Sequence, residues 1–201
     1  MKLFTPLYER ALRWARHRHA RWYLAVLSFF EAFIFPIPPE VMLAPMTLAR
    51  PLHWLRLASW SLAFSLLGSL VGYALGHWAY QGLQPLLSPH MQEVITTWVD
   101  ALRADMDAHW FAMLGALMLA ALQPVIPMKF VTWAAGIVGV PILPFLACMA
   151  VGRGKRVYLL GGAIRIGGAR AEAALHKYIE WIGWIVLAIL ALLLLYWWWR
   201  H

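Results

Sequence analysis

The stretch FFEAFIFPIPPEVMLAPM, Phe29 to Met46, decides the fold. It sets two carboxylates, Glu31 and Glu40, around a proline cluster (Pro36, Pro38, Pro39) inside an otherwise apolar run. Each proline removes a backbone donor and disfavours helix at the residue before it. As helices, Trp22 to Ile37 would measure about 24 Å and Pro39 to Ala49 about 16 Å, at 1.5 Å per residue. Neither covers a hydrocarbon core about 30 Å thick. The spacing therefore predicts two half-length helices meeting at a proline-rich tip, a re-entrant hairpin; two tilted full spans with frayed ends are the alternative. Backbone of that kind survives at membrane depth only where protein or a polar cavity covers it.

Composition points the same way. The 201 residues are 63% hydrophobic and 13% charged, where soluble chains carry roughly 25% charged residues. Mean hydropathy is +0.65. An integral membrane protein is expected, with one compact membrane domain. The single cysteine, Cys148, excludes an internal disulfide framework and reads as a small buried hydrophobe. The net charge of +8 is segregated: six of the first 21 residues are Lys or Arg, and Arg153, Lys155, Arg156, Arg165, Arg170 and Lys177 follow late in the chain. The long polar connection from about Gln81 to His109 sets one Arg103 against Glu93, Asp100, Asp105 and Asp107. This is the positive-inside pattern rather than a nucleic-acid surface.

From Trp110 to Val151 the only charge is Lys129. One helix over that length would be about 63 Å long, so the segment must fold back. QPVIPMK, with Pro124 and Pro127, is the break, giving a second hairpin over about 110–140. Each hairpin precedes a better span: LASWSLAFSLLGSLVGYALGHW after the first and LPFLACMAVGRGKRVYLLGG after the second. An offset of 89 residues pairs Ile37-Pro38 with Ile126-Pro127, Gly72 with Gly161, and Glu40 with Lys129. The expected fold is all-α and integral to the membrane. It is an inverted repeat of two re-entrant hairpins each followed by a transmembrane helix, plus a C-terminal transmembrane helix. The divisions are 1–21, a basic cytoplasmic amphipathic arm; 22–165, the membrane domain with hairpins at about 22–50 and 110–140; and 166–201, a basic cytoplasmic segment and the last span.

Every intramembrane charge needs a reason, because each costs roughly 2.5–3.5 kcal/mol at a helix centre. Glu31 is expected about two turns before the tip, as a cavity-lining acid or as a hydrogen-bonded strut closing the hairpin. Glu40 is expected in the first turn of the second half-helix, where the dipole favours a carboxylate. At least one of the two is expected to exchange a proton. Lys129, at the matching place after Pro127, is expected to approach Glu40. In GRGKR, Arg153 and Arg156 share a helix face and suit a phosphate. Gly68, Gly72 and Gly76 read as close helix packing. Asp105, Asp107 and His109 are set aside as a metal site, since they are expected in a loop and lack a fourth ligand. No nucleophile elbow or P-loop is present, so neither an enzyme nor a cofactor is called for.

At FFEAFIFPIPPEVMLAPMTLARP, IPMKFVTWAAG and AVGRGKRVYLLGG the sequence resembles the DedA superfamily, also called the VTT or SNARE-associated domain, and its YqaA-like bacterial branch most closely. The resemblance implies opposed re-entrant hairpins and lipid movement across the bacterial inner membrane, of undecaprenyl phosphate or a phospholipid. Glu31 and Glu40 match the family's two acids, and Lys129 its second basic residue. Gln123 stands where those members carry an arginine, and Arg153 or Arg156 would supply that charge. The expected function is a flippase or scramblase for an anionic lipid, with protons as possible partners. The alternative is a membrane assembly or envelope-homeostasis protein that transports nothing.

Overall fold

The computed structural model describes residues 14–122, apart from 16 and 36, and residues 128–168. Pro124, Pro127, Gln123, most of the basic arm, Arg170, Lys177 and the expected last span lie outside the described residues. Within them the chain is all-helical, with no strand. Helix α1 is Ala20–Glu31 and α2 is Glu40–Ala49. A 3-10 turn leads into α3, Trp54–Leu83. Then come α4, Pro89–Ala108; α5, Trp110–Leu122; α6, Met128–Val138; and α7, a helical run over 142–168.

One helical stretch among the described residues, Pro51–Leu86, is long and apolar enough to cross a membrane; Glu40–Ala49, Trp110–Leu122 and Met128–Val138 are apolar but short. Two expectations need correction. Helix α1 ends at Glu31, well before Ile37, because the amides of Phe33, Ile34 and Phe35 all turn back onto the Phe30 carbonyl. Glu31 is therefore the last helical residue before the tip. The polar connection is also no loop. It carries the 20-residue helix α4, started by Pro89 at a position where a missing amide costs nothing. Asp105 thus lies on that helix, with His109 at its C-cap.

Helix α3, about 45 Å long, is the axis on which the rest is laid. Helix α1 runs alongside its first half in the same direction: Trp22 meets Trp60, Ser28 meets Ser61, and Phe29 and Ala32 meet Gly68. Helix α6 continues along the second half, with Trp133 against Gly76 and Gly136 against the Tyr73 carbonyl and His77. The handover falls at Gly72, where an added Cβ would come within 2.8 Å of both Phe33 and Thr132. Helix α7 runs antiparallel to α3, from Phe145 on Tyr73, through Arg153 on Ser65 and Tyr158 on Ser59, to Gly161 on Trp54. Two apolar clusters result. One joins Leu24, Leu43, Met46, Leu57 and Val157 around the first hairpin. The other joins Met106, Ala121, Met128, Phe145 and Met149 around the second.

The glycine rows are the reason these helices close up. At Gly68 a Cβ would strike the Phe29 carbonyl, and at Gly76 that of Trp133. The close-packing expectation for Gly68, Gly72 and Gly76 therefore holds.

Candidate functional site

The charged residues meet where the tip of the first hairpin faces the middle of α7. Arg153 is 4% exposed. Its Nη1 donates to Glu31 Oε2 at 2.7 Å and to Ser65 Oγ at 2.7 Å, and its Nη2 donates to the Ala32 carbonyl at 3.3 Å. One turn on, Arg156 Nη2 lies 2.8 Å from Glu40 Oε1. The helical spacing of three brings both guanidiniums to one face, as GRGKR suggests. The hairpin turn supplies the rest: Glu31 closes α1, and Glu40 opens α2 behind Pro39.

The two pairs differ in depth. Side-chain exposure is 4% and 15% for Arg153 and Glu31, against 41% and 21% for Arg156 and Glu40. The inner pair is sealed and the outer pair marks the mouth. Between them Glu31, Pro39, Glu40, Ser61, Arg153 and Arg156 border a cavity of about 10 Å³, close to the volume of one water. Glu40 Oε2 and Arg153 Nε are buried there without a hydrogen-bond partner among the described residues. The arrangement can hold an anion between two guanidiniums, or hold its own carboxylates as it does here.

Lys129 is not part of this cluster. Its ammonium lies 5.8 Å from the centroid of the neighbouring Phe130 ring, and among the described residues no ion pair joins it to Glu40. The expected Glu40–Lys129 contact is replaced by Glu40–Arg156. The reason is axial: Lys129 begins the helix that packs on the second half of α3, while Arg156 sits opposite the first half. Gln123 falls outside the described residues. Of six expected site residues, the structure brings together Glu31, Glu40, Arg153 and Arg156.

Three participants escaped the sequence reading. Ser61, Ser65 and Ser69 recur every fourth residue on α3 and are all buried. Ser65 accepts from Arg153, Ser61 pairs with Ser28 at 2.8 Å, and Ser69 donates to the Ser65 carbonyl at 2.9 Å. The signal was there in SLAFSLLGS, a polar row beside the glycine row, masked by the small size of serine in an apolar helix. No group of three or more metal-ligating side chains converges among the described residues.

The sequence is similar to an uncharacterized protein of Haemophilus influenzae, 34% identical over 199 residues that cover 97% of this chain and 99% of that one. It is equally similar to an uncharacterized protein of Histophilus somni, 34% identical over 199 residues, with 97% and 100% covered. No family model matches the sequence. No solved structure matches it either.

Proposed function

The chain belongs to the same family as these Haemophilus influenzae and Histophilus somni proteins, and for it we propose a multi-pass inner-membrane lipid transporter of the DedA type. The observation that carries this reading is the arginine–carboxylate cluster between the tip of the first hairpin and α7, its inner pair sealed and its outer pair at the mouth. A soluble helical domain has little use for a proline-broken tip that delivers two acids onto two arginines inside an apolar frame. A transporter of anionic headgroups does.

The architecture supports the reading at a larger scale. Shifted by 89 residues, α1, α2 and α3 start within one residue of α5, α6 and α7. Because α3 and α7 are antiparallel, and the hairpins lie along opposite halves of α3, the two units read as an inverted repeat, with Phe33 of the first and Thr132 of the second meeting at Gly72. Midplane sites at interrupted helices are the signature of such repeats. The aromatic ends fit too. Trp22 packs edge-on to Trp60 at one end of α3, and Trp78 is exposed near the other. Trp60 and Trp78 are about 27 Å apart along the helix, matching a core about 30 Å thick with its interfacial tryptophans.

In this reading the observed state is closed. A phosphate headgroup competes with Glu31 and Glu40 for the same guanidinium forks, which match phosphate geometry as well as they match carboxylate. Protonation of either acid weakens its hold on its arginine, so proton movement and headgroup entry use one set of contacts. The acyl chains stay in lipid while the headgroup, which is costly to place in hydrocarbon, follows the polar path. No covalent step is required. The lipid class is an anionic one, undecaprenyl phosphate or a phospholipid.

The test is transbilayer movement of a headgroup-labelled anionic lipid in proteoliposomes. Wild type accelerates it, and Glu31→Ala and Arg153→Ala abolish the acceleration. Full movement by both variants removes the site assignment. A second reading has one observation in its favour, a cavity no larger than about one water between mutually satisfied charges. That is what a strut in a non-transporting assembly protein looks like, and absence of movement by wild type selects it.

A further inference from the structure

Helix α4 carries three faces where a surface helix ordinarily carries two. Val99 and Met106 are buried, and Arg103 between them donates from Nε to the Val138 carbonyl at 2.9 Å and from Nη2 to the Ile137 carbonyl at 3.2 Å. That face ties α4 to the end of α6. A polar face carries Glu93, Thr97 and Asp100. The third stripe is apolar and exposed: Met91, Val94, Trp98 and Leu102 fall on one side of the helix at 3.6 residues per turn, with exposures of 50%, 39%, 70% and 40%.

We propose that α4 is an interfacial anchor whose Met91–Val94–Trp98–Leu102 stripe lies in the lipid surface at the end of the molecule away from the basic residues. This inference rests on the membrane reading above and adds a second lipid contact, distinct from the arginine site. Position selects the occupant. Arg103 sits over the Tyr80 ring, 5.9 Å from its centroid, which fixes α4 beside the end of α3 where Trp78, Leu83 and Leu86 are also exposed. That is the level at which the second aromatic belt falls. Between Met91 and Leu102 the apolar stripe is flanked by the packed face on one side and by Glu93 and Asp100 on the other, the disposition of a helix lying in the interface plane; exposed Asp105, one turn past Leu102, closes the stripe at its C-terminal end. Glu93 and Asp100 give no attraction to anionic lipid, so the contact is apolar and insensitive to salt. Through Arg103 the anchor also fixes the outer end of the second hairpin.

Cys148 is the sole cysteine and is buried, so nitroxide labels can be introduced singly in a Cys148→Ala background, or in the parent chain with its own unlabelled Cys148 as blank. The protein is reconstituted in neutral phosphatidylcholine vesicles, and collision with oxygen and with a water-soluble nickel chelate is compared. Labels at Trp98→Cys and Leu102→Cys are expected to collide at least threefold more with oxygen relative to nickel than labels at Thr97→Cys and Asp100→Cys, in low and high salt alike. A label at Leu67→Cys, exposed midway along α3, reports the membrane reading itself. If Leu67→Cys reads lipid while Trp98→Cys reads water, the anchor is wrong and the transporter reading stands. If both read water, the membrane reading falls and the anchor with it. Dipolar broadening between Trp98→Cys labels assigns the stripe to a second copy of the chain and also overturns the proposal.

Discussion

Both hairpins seat backbone against a glycine of α3, Phe29 on Gly68 and Trp133 on Gly76, but among the described residues only hairpin α1–α2 adds ion pairs. The first hairpin presents Glu31 and Glu40 to Arg153 and Arg156. The second has no ion pair of its own among the described residues; it docks by setting Gly136 against the Tyr73 carbonyl and the Trp133 backbone against Gly76. Beside it, Trp110, Met113, Leu117, Val131, Ala134 and Val138 line an apolar groove of about 260 Å³. Two units of matching length and placement have thus been given different chemistry. Sequence equivalence under the 89-residue offset marks corresponding positions, and corresponding positions need not touch.

The strongest way to break that contrast is Arg153→Ala. It leaves the Glu31 carboxylate buried beside Ser65 with no cation, and losing one partner of a sealed pair costs about 3–5 kcal/mol. A large drop in the thermal midpoint of the detergent-solubilised protein is expected. Arg156→Ala, whose partner contact is at the mouth and 41% exposed, should cost within about 1 kcal/mol. Equal losses from the two would mean that depth does not organise the cluster.

The second hairpin is tested by glycine. In Gly136→Ala the new methyl meets the Tyr73 backbone, which cannot move aside without bending α3, and a cost of about 1–3 kcal/mol is expected. Gly154→Ala is the control on α7. Its nearest neighbour is the end of the Leu62 side chain at 3.5 Å, an ordinary contact, so its melting curve should overlay wild type. A destabilised Gly154→Ala beside a neutral Gly136→Ala would reverse the assignment of which helix contact is backbone-tight.

Much of this was legible beforehand because proline and glycine act locally. Pro39 starts α2, and the every-fourth-residue glycines seat α1 and α6 on α3, all readable from spacing alone. What failed was tertiary. Nothing local says that Glu40 turns to Arg156 rather than to Lys129, because that depends on which half of α3 each helix lies along. Helix α4 was missed because its three-faced pattern dilutes the apolar periodicity that a two-faced helix displays. Glu31 was placed two turns too early because the chain turns back at Phe30, before the prolines are reached.

The smallest effect expected is also the most discriminating. Lys129→Ala removes a charge that, among the described residues, lies over the face of Phe130, a ring 52% exposed, and contacts of that kind contribute about 0.5–1 kcal/mol at exposed sites. Stability should therefore change by no more than that. In the proteoliposome assay this variant should retain wild-type lipid movement while Arg153→Ala loses it. If Lys129→Ala abolishes movement without changing the melt, the headgroup must reach the second hairpin as well as the first. The functional division between the hairpins would then be wrong even though their structural difference stands.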